Sequence, residues 1–559
     1  MSKIDPITLE IMRNGLQSIA DEMTATLVRT AYSTNIKDRR DCSCAILTTK
    51  GEVVAQTELG TPFHLGVMPA VVKVILDHYP LEKLNPEDTI INNILYPVGP
   101  GHLNDISILS PIFYEGEIVA LVANQAHHVD VGGYAPGSMA FGVTEIYQEG
   151  LQIPPIKLVK QGTIDDEILS LILQNIRTRK VTKGDIVAQI AANNVGVTRL
   201  MEIFDKSGKQ KTLSSMEQLL DYAERSMREG IKQIPQGRYS FEDYIEGDGV
   251  NDKLIKIKAT IEVGKDSVLV DFTGTDKQAK GPMNTRISAA EACSYYVLKC
   301  IIDPNLPTNS GAYRPIRVVA EEGSLLNARF PAALCNANII TDQRIVDVLL
   351  GAMLKAVPER VLAACSGEMN LINLGGIDPR TGEYYNYIET YGGGQGALHC
   401  QDGMDGVQTH LTNTRNAPVE VMEVTYPFRI DKYGLSPDSG GDGKYRGGMG
   451  IIREIMLLGD EAKLSLSTDR RKIGPWGVSG GRPGATSDCI IVSGSGMRKR
   501  LPSKITTTIN KGEKLIIVTP GGGGWGDPSE REQDKVERDL AEGLISKRYL
   551  RNRNRMEDK

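Results

Sequence analysis

Two histidine-containing segments, GPGHLNDI and NQAHHVDVGG, hold the residues of this sequence that are best suited to bind a metal ion. His102 and Asp105 form an H-x-x-D pair in the first segment, and His127 and His128 are adjacent in the second. Asp41 lies upstream, in KDRRDCSC. Two imidazoles and two carboxylates suit a divalent zinc, manganese or iron ion that keeps a position open for water or substrate. Water on such an ion becomes a nucleophile near neutral pH.

The spacing alone leaves a structural interpretation open, because no H-E-x-x-H or C-x-x-C motif fixes a metal site. Neighbouring residues of a strand point to opposite faces, so His127 and His128 are not expected to share one ion. We assign His127 to the ion. His128 and Asp130 then support the ligands, face the substrate or are structural. The remaining histidines are weaker candidates: His64, His78, His399 and His410.

The elements around these residues alternate irregularly between helices and strands. Asp5 and Pro6 precede apolar residues at helical spacing, which predicts a first helix. CSCAILTTKGEVVAQ predicts a hairpin that turns at Lys50 and Gly51, and strands are predicted at 106–109, 111–114 and 118–123. Helices return over 165–230, and the sequence after about residue 420 is rich in strands and glycine. This order predicts a large α+β fold of several subdomains.

The amino-acid composition limits the classes of protein to which this chain can belong. The 559 residues are 40% hydrophobic and 24% charged, as expected of a folded, soluble chain of about two to four structural units. The net charge of −6 argues against nucleic-acid binding. We find neither a signal peptide nor an apolar stretch that spans a membrane, so we expect the cytoplasm. Cys42 and Cys44 form an isolated C-x-C, which predicts buried strand residues rather than zinc ligands.

The glycine-rich stretches are not phosphate loops. None matches G-x-x-x-x-G-K-[ST] or a G-x-G-x-x-G that opens a helix, and no G-x-S-x-G elbow is present. The runs at 392–394, 440–441 and 521–524 are better interpreted as turns or as close interface packing. We therefore expect this chain to have no ATP site.

Further segments, in addition to the two histidine-containing ones, carry a family resemblance. RRDCSCAILTTKGEVVAQ, EIYQEGLQIPPIKL, NTRNAPVEVMEVTYPFRI, LSPDSGGDGKYRGGMGIIRE and TPGGGGWGDP resemble segments of the hydantoinase B/oxoprolinase family, in that family's order, between about residues 4 and 528. Members of the family hold a metal with an early Asp, the His and Asp of H-x-x-D, and a later His. The resemblance places these ligands at Asp41, His102, Asp105 and His127, with zinc favoured over manganese.

The resemblance also implies a function. This chain would be the metal-binding subunit of an ATP-dependent enzyme that opens a cyclic amide such as a hydantoin, 5-oxoproline or a lactam. ATP and Mg would be bound by a hydantoinase A-type alpha subunit, in a dimer of heterodimers. The partner would phosphorylate the carbonyl, and metal-bound water would attack it, with His128 also placed in the catalytic site.

Two alternatives remain open: a subunit of a ketone carboxylase, and a scaffold subunit whose metal is structural. A structural metal would be fully coordinated by the protein, whereas a catalytic one keeps a position open. We expect one family domain over residues 4–528, with its metal site within 40–135, and a helical tail over 529–559.

Overall fold

The structure is a computed structural model that describes residues 4–551. The chain forms two compact units. The first comprises Met1–Arg238, Thr260–Asn338 and Asn413–Ala417, and the second comprises Tyr239–Ala259, Ile339–Thr412 and Pro418–Lys559. Several sheets and many helices confirm the predicted α+β class. The predicted boundary at residue 528 stays a prediction, and residues 552–559 of the predicted tail lie outside the described residues.

The helices, numbered in chain order within the described residues, have the following bounds. They are α1 (Pro6–Thr30), α2 (Thr34–Lys37), α3 (Pro62–His78), α4 (Asp166–Gln174), α5 (Arg179–Ser207), α6 (Lys209–Ile231), α7 (Ile287–Ile302), α8 (Ser310–Tyr313), α9 (Ala337–Met353), α10 (Val419–Thr425) and α11 (Gln533–Ala541). No helix among residues 4–551 combines the length and apolar composition that a membrane crossing needs.

The strands are numbered in the same way. They are β1 (Cys42–Leu47), β2 (Val53–Gln56), β3 (Thr89–Asn92), β4 (Asp105–Tyr114), β5 (Glu117–His127), β6 (Ile156–Lys160), β7 (Thr163–Ile164), β8 (Gly237–Glu246), β9 (Leu254–Val263), β10 (Val268–Asp271), β11 (Ile316–Val319), β12 (Leu371–Ile377), β13 (Tyr384–Thr390), β14 (Phe428–Leu435), β15 (Ile451–Leu457), β16 (Glu461–Ser467), β17 (Asp488–Val492), β18 (Arg498–Arg500), β19 (Lys504–Asn510) and β20 (Lys514–Val518).

A seven-stranded antiparallel sheet in the first unit carries the predicted metal ligands, and its strand order is β2-β1-β5-β4-β3-β6-β7. Cys42, Cys44 and Ile46 of β1 pack with α1 and α5 on one face. Ala45 and Leu47 pack with α3 on the other face. This alternation follows the two-residue period of a strand. Side chains of β1, β4 and β5 therefore face either the α1/α5 layer or the α3 layer.

The predicted first helix forms as α1, and the predicted hairpin forms from β1 and β2. The Asp5 side chain accepts a hydrogen bond from the Thr8 N–H at 2.9 Å and caps α1. The predicted hairpin forms between β1 and β2, where Ala45 pairs with Gln56. Gly51 has φ +80° at its turn, in the left-handed region that glycine adopts without strain. The two strands predicted at 106–109 and 111–114 are one continuous strand, β4.

Glycine-rich segments of the second unit pack backbone against backbone. The Gly522 N–H donates to the Gly448 carbonyl, and the Gly448 N–H donates to the Gln395 carbonyl. A Cβ added at Gly522 would lie 2.0 Å from the Gln395 oxygen. Only a hydrogen atom fits at this position, because heavy atoms cannot approach so closely. Close packing therefore accounts for these glycines, and it lies within the second unit.

The second unit also contains two antiparallel sheets and helix α11. The sheets have the orders β13-β12-β16-β19 and β14-β15-β20-β17-β18. Helix α11 packs on this unit through Val536, which is buried in one cluster with Met449. A remaining sheet has the order β11-β10-β9-β8.

Candidate metal centre

Three strands bring the predicted ligands to one end of the seven-stranded sheet. Asp41 immediately precedes β1, Asp105 begins β4 and His127 ends β5. Because β5 runs antiparallel to both β1 and β4, these three positions lie at the same end. The register places Asp105 opposite His127, and the His127 N–H donates to the Asp41 carbonyl at 3.0 Å. Residues that are far apart in sequence thus converge through ordinary strand pairing.

His102 reaches this end of the sheet from the loop that precedes β4. Its carbonyl accepts the Asp105 N–H at 3.1 Å, and its ring Nε2 lies 3.2 Å from Asp105 Oδ1. The other ring nitrogen, Nδ1, lies 3.1 Å from the carbonyl oxygen of Cys335. Because a carbonyl can only accept, Nδ1 carries the proton in this contact. This arrangement leaves Nε2 of His102 as the nitrogen that can bind an ion.

His102, Asp105 and His127 form a group of possible ligands whose donor atoms all lie within 4.8 Å of one another. All three residues are buried. The nearest charged groups to Asp105 are the His102 and His64 rings, yet neither carboxylate oxygen makes a hydrogen bond of ordinary geometry within the described chain. Buried carboxylates are normally hydrogen-bonded, so these oxygens lack the partner that a divalent ion would supply. The donor set therefore fits such an ion.

Asp41 lies at the edge of this group rather than inside it. Its Oδ1 accepts a hydrogen bond from the Thr61 hydroxyl at 3.1 Å. The same oxygen lies 3.9 Å from Nε2 of His64. The proposed fourth ligand is therefore next to the three-residue group, but its carboxylate is not among the atoms that converge within 4.8 Å.

His64 is a site residue that the sequence reasoning ranked too low. It lies in the first turn of α3, is 2% exposed, and places Nε2 3.4 Å from Asp105 Oδ1 and 3.9 Å from Asp41 Oδ1. The sequence signal that could have identified His64 is a polar residue among the apolar residues of TPFHLGVM, at the start of a helix. Asn338 was also missed, and its Nδ2 lies 3.3 Å from Nε2 of His102.

Burial and neighbouring charge divide the histidines of the site into two kinds. Burial, reinforced by the His102 ring, lowers the pKa of His127 to about 3, so this ring is neutral. Burial also acts to lower the pKa values of His64 and His102, but the Asp105 carboxylate outweighs it and both pKa values are raised. Burial would raise the pKa of Asp105, but these two rings hold that pKa well below its usual range. Asp105 is therefore ionised and available to a cation.

Two groups outside the cluster orient its histidines. The Asn35 Nδ2 atom lies 2.7 Å from both Nδ1 and the carbonyl oxygen of His127, and the Arg39 guanidinium donates to Asn35 Oδ1. On the other side, Glu149 Oε1 accepts the N–H groups of Leu334 at 2.6 Å and Cys335 at 2.8 Å. Glu149 thereby holds the peptide segment whose carbonyl contacts His102.

His128 and Asp130 lie outside the ligand group. The alternation of β5 turns His128 towards α5, where its Nε2 lies 2.9 Å from Gln189 Oε1. This geometry confirms that His127 and His128 point to opposite faces. Asp130 is buried and pairs with Arg177 at 2.8 Å. The catalytic role predicted for His128 has no support in these contacts, and a structural role agrees with them.

The other three histidines are not among the residues whose ligand atoms converge within 4.8 Å. His78 is an exposed residue at the end of α3. His399 and His410 belong to the second unit, where His410 Nε2 lies 3.4 Å from Asp347 Oδ1.

Comparison with protein-family models gives a match to hydantoinase B/oxoprolinase over residues 5–528. The chain belongs to the hydantoinase B/oxoprolinase family. An uncharacterised protein of Methanocaldococcus jannaschii is 44% identical, over 97% of this chain and 94% of that protein. A protein of Pseudomonas sp. (strain NS671), assigned as one of the subunits of a D-/L-hydantoinase, is 34% identical, over 98% of this family member and 94% of the relative.

Longer relatives and solved structures extend the comparison. The 5-oxoprolinase 1 of Arabidopsis thaliana is 34% identical over 93% of this chain, which spans 42% of that protein. The ATP-dependent caprolactamase of Pseudomonas jessenii superposes with a TM-score of 0.90 and 29% identity, covering 98% of this chain and 95% of that one. A nucleotide-free acetone carboxylase superposes with a TM-score of 0.89, covering 98% of this chain and 79% of that one. At 19% identity this likeness shows the fold alone.

Proposed function

We propose that this chain is the metal-binding subunit of a two-subunit, ATP-dependent enzyme that hydrolyses cyclic amides. One observation carries the proposal: His102, Asp105 and His127 converge in a buried group, with an ionised carboxylate whose oxygens make no ordinary hydrogen bond. A family whose relatives include a hydantoinase subunit and 5-oxoprolinases supports the choice of reaction.

The proposed ligands are Asp41, His102, Asp105 and His127. A divalent ion bound there, zinc before manganese, would supply a Lewis acid and lower the pKa of bound water. Asp105 supplies the negative charge, while neutral His127 and Nε2 of His102 supply lone pairs. Asp41 lies at the edge of the group, with Oδ1 3.9 Å from Nε2 of His64, and would be the fourth ligand.

The chain's own residues would position the reacting groups and limit access of bulk water. His102, Asp105 and His64 are each at most 2% exposed, so charges at this site act in surroundings of low polarity. The hydroxyl of Thr61 holds Oδ1 of Asp41. His64 lies between the two carboxylates, with Nε2 3.4 Å from Asp105 Oδ1 and 3.9 Å from Asp41 Oδ1, and would help to position them.

ATP chemistry would belong to a partner. The sequence contains no recognisable phosphate-binding loop, and the similar Pseudomonas protein is assigned as one of the subunits of a hydantoinase. We propose a hydantoinase A-type alpha subunit that binds ATP and Mg, phosphorylates the amide carbonyl, and joins this chain in a cytoplasmic dimer of heterodimers. Phosphorylation by ATP, with release of ADP, would make the carbonyl carbon a better electrophile for water. Phosphate would then leave as the C–N bond breaks and the nitrogen takes a proton.

The amide branch of the family is favoured over the ketone carboxylase branch. The caprolactamase is 29% identical to this chain, whereas the acetone carboxylase is 19% identical and shares only the fold. A purely structural metal is disfavoured because structural zinc sites are built mainly from cysteine and histidine, whereas the proposed ligands here are two carboxylates and two imidazoles.

The test is turnover by the chain co-expressed with its ATP-binding partner. Hydantoin, 5-oxoproline and caprolactam are each supplied with Mg-ATP, and acetone is supplied with Mg-ATP and bicarbonate. We expect one cyclic amide to be opened with stoichiometric ATP consumption, and no reaction with either of the two proteins alone. Carboxylation of acetone without opening of any ring would contradict the proposal.

A further inference from the structure

A cavity with a volume of about 580 Å³ lies in the first unit. Pockets that bind small molecules typically measure roughly 300–1,000 Å³. Side chains from α1, β2, α6 and α7 line it, together with the loop before α8. Its lining residues do not include the proposed ligands His102, Asp105 and His127.

The wall segment at residues 60–62 links this cavity to the metal centre. Gly60 and Pro62 line the cavity. Thr61, between them, donates its hydroxyl hydrogen bond to Asp41 at 3.1 Å. Asn413 also lines the cavity, and its Nδ2 donates to the Gly60 carbonyl at 3.1 Å. A molecule in the cavity would therefore contact the same short segment that positions a proposed metal ligand.

Lys299 gives the cavity a cationic group without an anionic partner. It is half-buried on α7, and its ammonium donates to the Pro304 carbonyl at 2.8 Å. Within residues 4–551 it forms no ion pair: the carboxylates of Glu58 and Asp303 act on its charge, but both are beyond ion-pair distance. Arg13 also lines the cavity, but it is already paired with Glu10 at 2.6 Å. A half-buried cation of this kind favours an anionic ligand.

The remaining walls favour a ligand with an apolar body and a second polar group. Tyr295 and Tyr313 stack with centroids 4.2 Å apart, and Leu219 is a buried apolar wall residue. Gln56 is 2% exposed, and its carboxamide lies beside the Tyr313 hydroxyl without a hydrogen bond of ordinary geometry in the described structure. Such a buried carboxamide can both donate to and accept from a ligand.

We propose that this cavity binds a small carboxylic acid that also carries an amine or amide, with the carboxylate at Lys299 and the second polar group towards Gln56. Opening a cyclic amide produces this class of molecule. The C–N bond breaks, the hydroxyl of water joins the carbonyl carbon and a proton joins the nitrogen. The ring-opened product is the expected ligand only if the chain has the proposed function, so this inference rests on the proposed function.

Calorimetric titration of the full chain tests the binding of three probes: 6-aminohexanoate, glutamate and N-carbamoylglycine. 6-Aminohexanamide, which keeps the amine but lacks the carboxylate, is the matched ligand control. At least one acid should bind saturably, and Lys299→Met should weaken its binding at least about tenfold. Lys265→Met, at an exposed turn, should leave binding unchanged. Absence of binding by every acid, or equal binding by Lys299→Met, would overturn the inference.

Protection of Cys300 from alkylation provides a test that needs no variant. Cys300 is exposed and lines the cavity, whereas Cys400 is exposed in the second unit and serves as an internal control. The bound acid should slow iodoacetamide labelling of Cys300 at least about threefold, as measured by mass spectrometry, and leave Cys400 unchanged. Ring opening by the complex without Cys300 protection would overturn this inference alone. Protection without ring opening of any cyclic amide would support the ligand class and count against the proposed function.

Discussion

Asp105 and His127 are directly paired residues on the neighbouring antiparallel strands β4 and β5. Opposite residues of such a pair place their side chains on the same face, with Cβ atoms about 4.5–5.5 Å apart. The register of the sheet therefore brings two proposed ligands together before any loop contributes. A slip of one residue would move His128 into the place of His127, so metal binding depends on correct strand pairing.

The two adjacent histidines should respond differently to the same substitution. His127→Ala should abolish metal binding, because it removes a ligand from the group on the α3 side. His128→Ala should retain the metal and lower the melting temperature, because it removes the ring that contacts the buried Oε1 of Gln189 on α5. Metal analysis and thermal melting of both variants test this difference. Loss of metal from His128→Ala alone would show that the ligand assignment is reversed.

Glu149 should act on the metal through the position of His102. Glu149→Ala removes the acceptor of the Leu334 and Cys335 N–H groups and frees the carbonyl that contacts His102. We expect metal affinity to fall about 10–100-fold, as for other residues that orient a ligand. Glu149→Gln keeps an acceptor oxygen and should restore affinity to within a few-fold. Competition with a fluorescent chelator measures both, and equal affinities in wild type and Glu149→Ala would contradict the prediction.

Glycine packing in the second unit should tolerate no side chain at Gly522. Gly522→Ala places a Cβ 2.0 Å from the Gln395 carbonyl oxygen, and overpacking of this kind costs about 1–3 kcal/mol or more. The matched control is Gly494→Ala, where an added Cβ meets no atom within 4 Å. Its effect on unfolding should stay within about 0.5 kcal/mol. Equal melting temperatures of the two variants would contradict the packing described for these segments.

Glu368 should make the stability of the second unit depend on pH. Burial, followed by the charge of Asp469, raises the pKa of Glu368 from 4.5 to about 8. Folding therefore takes up a proton between these values, and the stability that protonated Glu368 provides is lost as pH rises through about 8. Glu368→Gln resembles the protonated form at every pH. As pH rises from 5 to 9, its free energy of unfolding should therefore increase relative to that of wild type by roughly 1–3 kcal/mol.

Denaturant unfolding across that pH range measures this change in the free energy of unfolding. Glu383→Gln, at an exposed turn, provides the control. Parallel pH profiles for wild type and Glu368→Gln would show that Glu368 does not titrate in this window.

Local residue patterns were sufficient to predict individual helices, strands and the faces of a strand. Apolar spacing and capping located α1, and alternation in CSCAIL located β1 with both cysteines on one face. Alternation also predicted that His127 and His128 would separate. These features depend on residues that are close in the chain, so their physical causes are visible in the sequence.

The missed features depend on contacts between distant residues. His64 joins Asp105 because α3 covers one face of the sheet, and Cys335 contacts His102 across more than two hundred residues of sequence. The family resemblance predicted Asp41 as a ligand. The structure places its carboxylate at the edge of the group, where it accepts a hydrogen bond from Thr61. For the glycine runs the sequence left two interpretations open, turns and close interface packing, because backbone packing between distant segments has no sequence motif.

The central claim is that His102 and Asp105 hold a divalent ion on which ring opening depends. The direct measurement is metal content by mass spectrometry, on the complex of this chain with its ATP-binding partner, for wild type, His102→Ala, Asp105→Ala and His78→Ala. His78 is exposed and distant from the group, so its variant is the control. We expect about one divalent ion per chain in wild type and His78→Ala, and less than about a tenth of that in the other two, with activity lost in parallel. A full complement of metal in His102→Ala and Asp105→Ala would contradict the account.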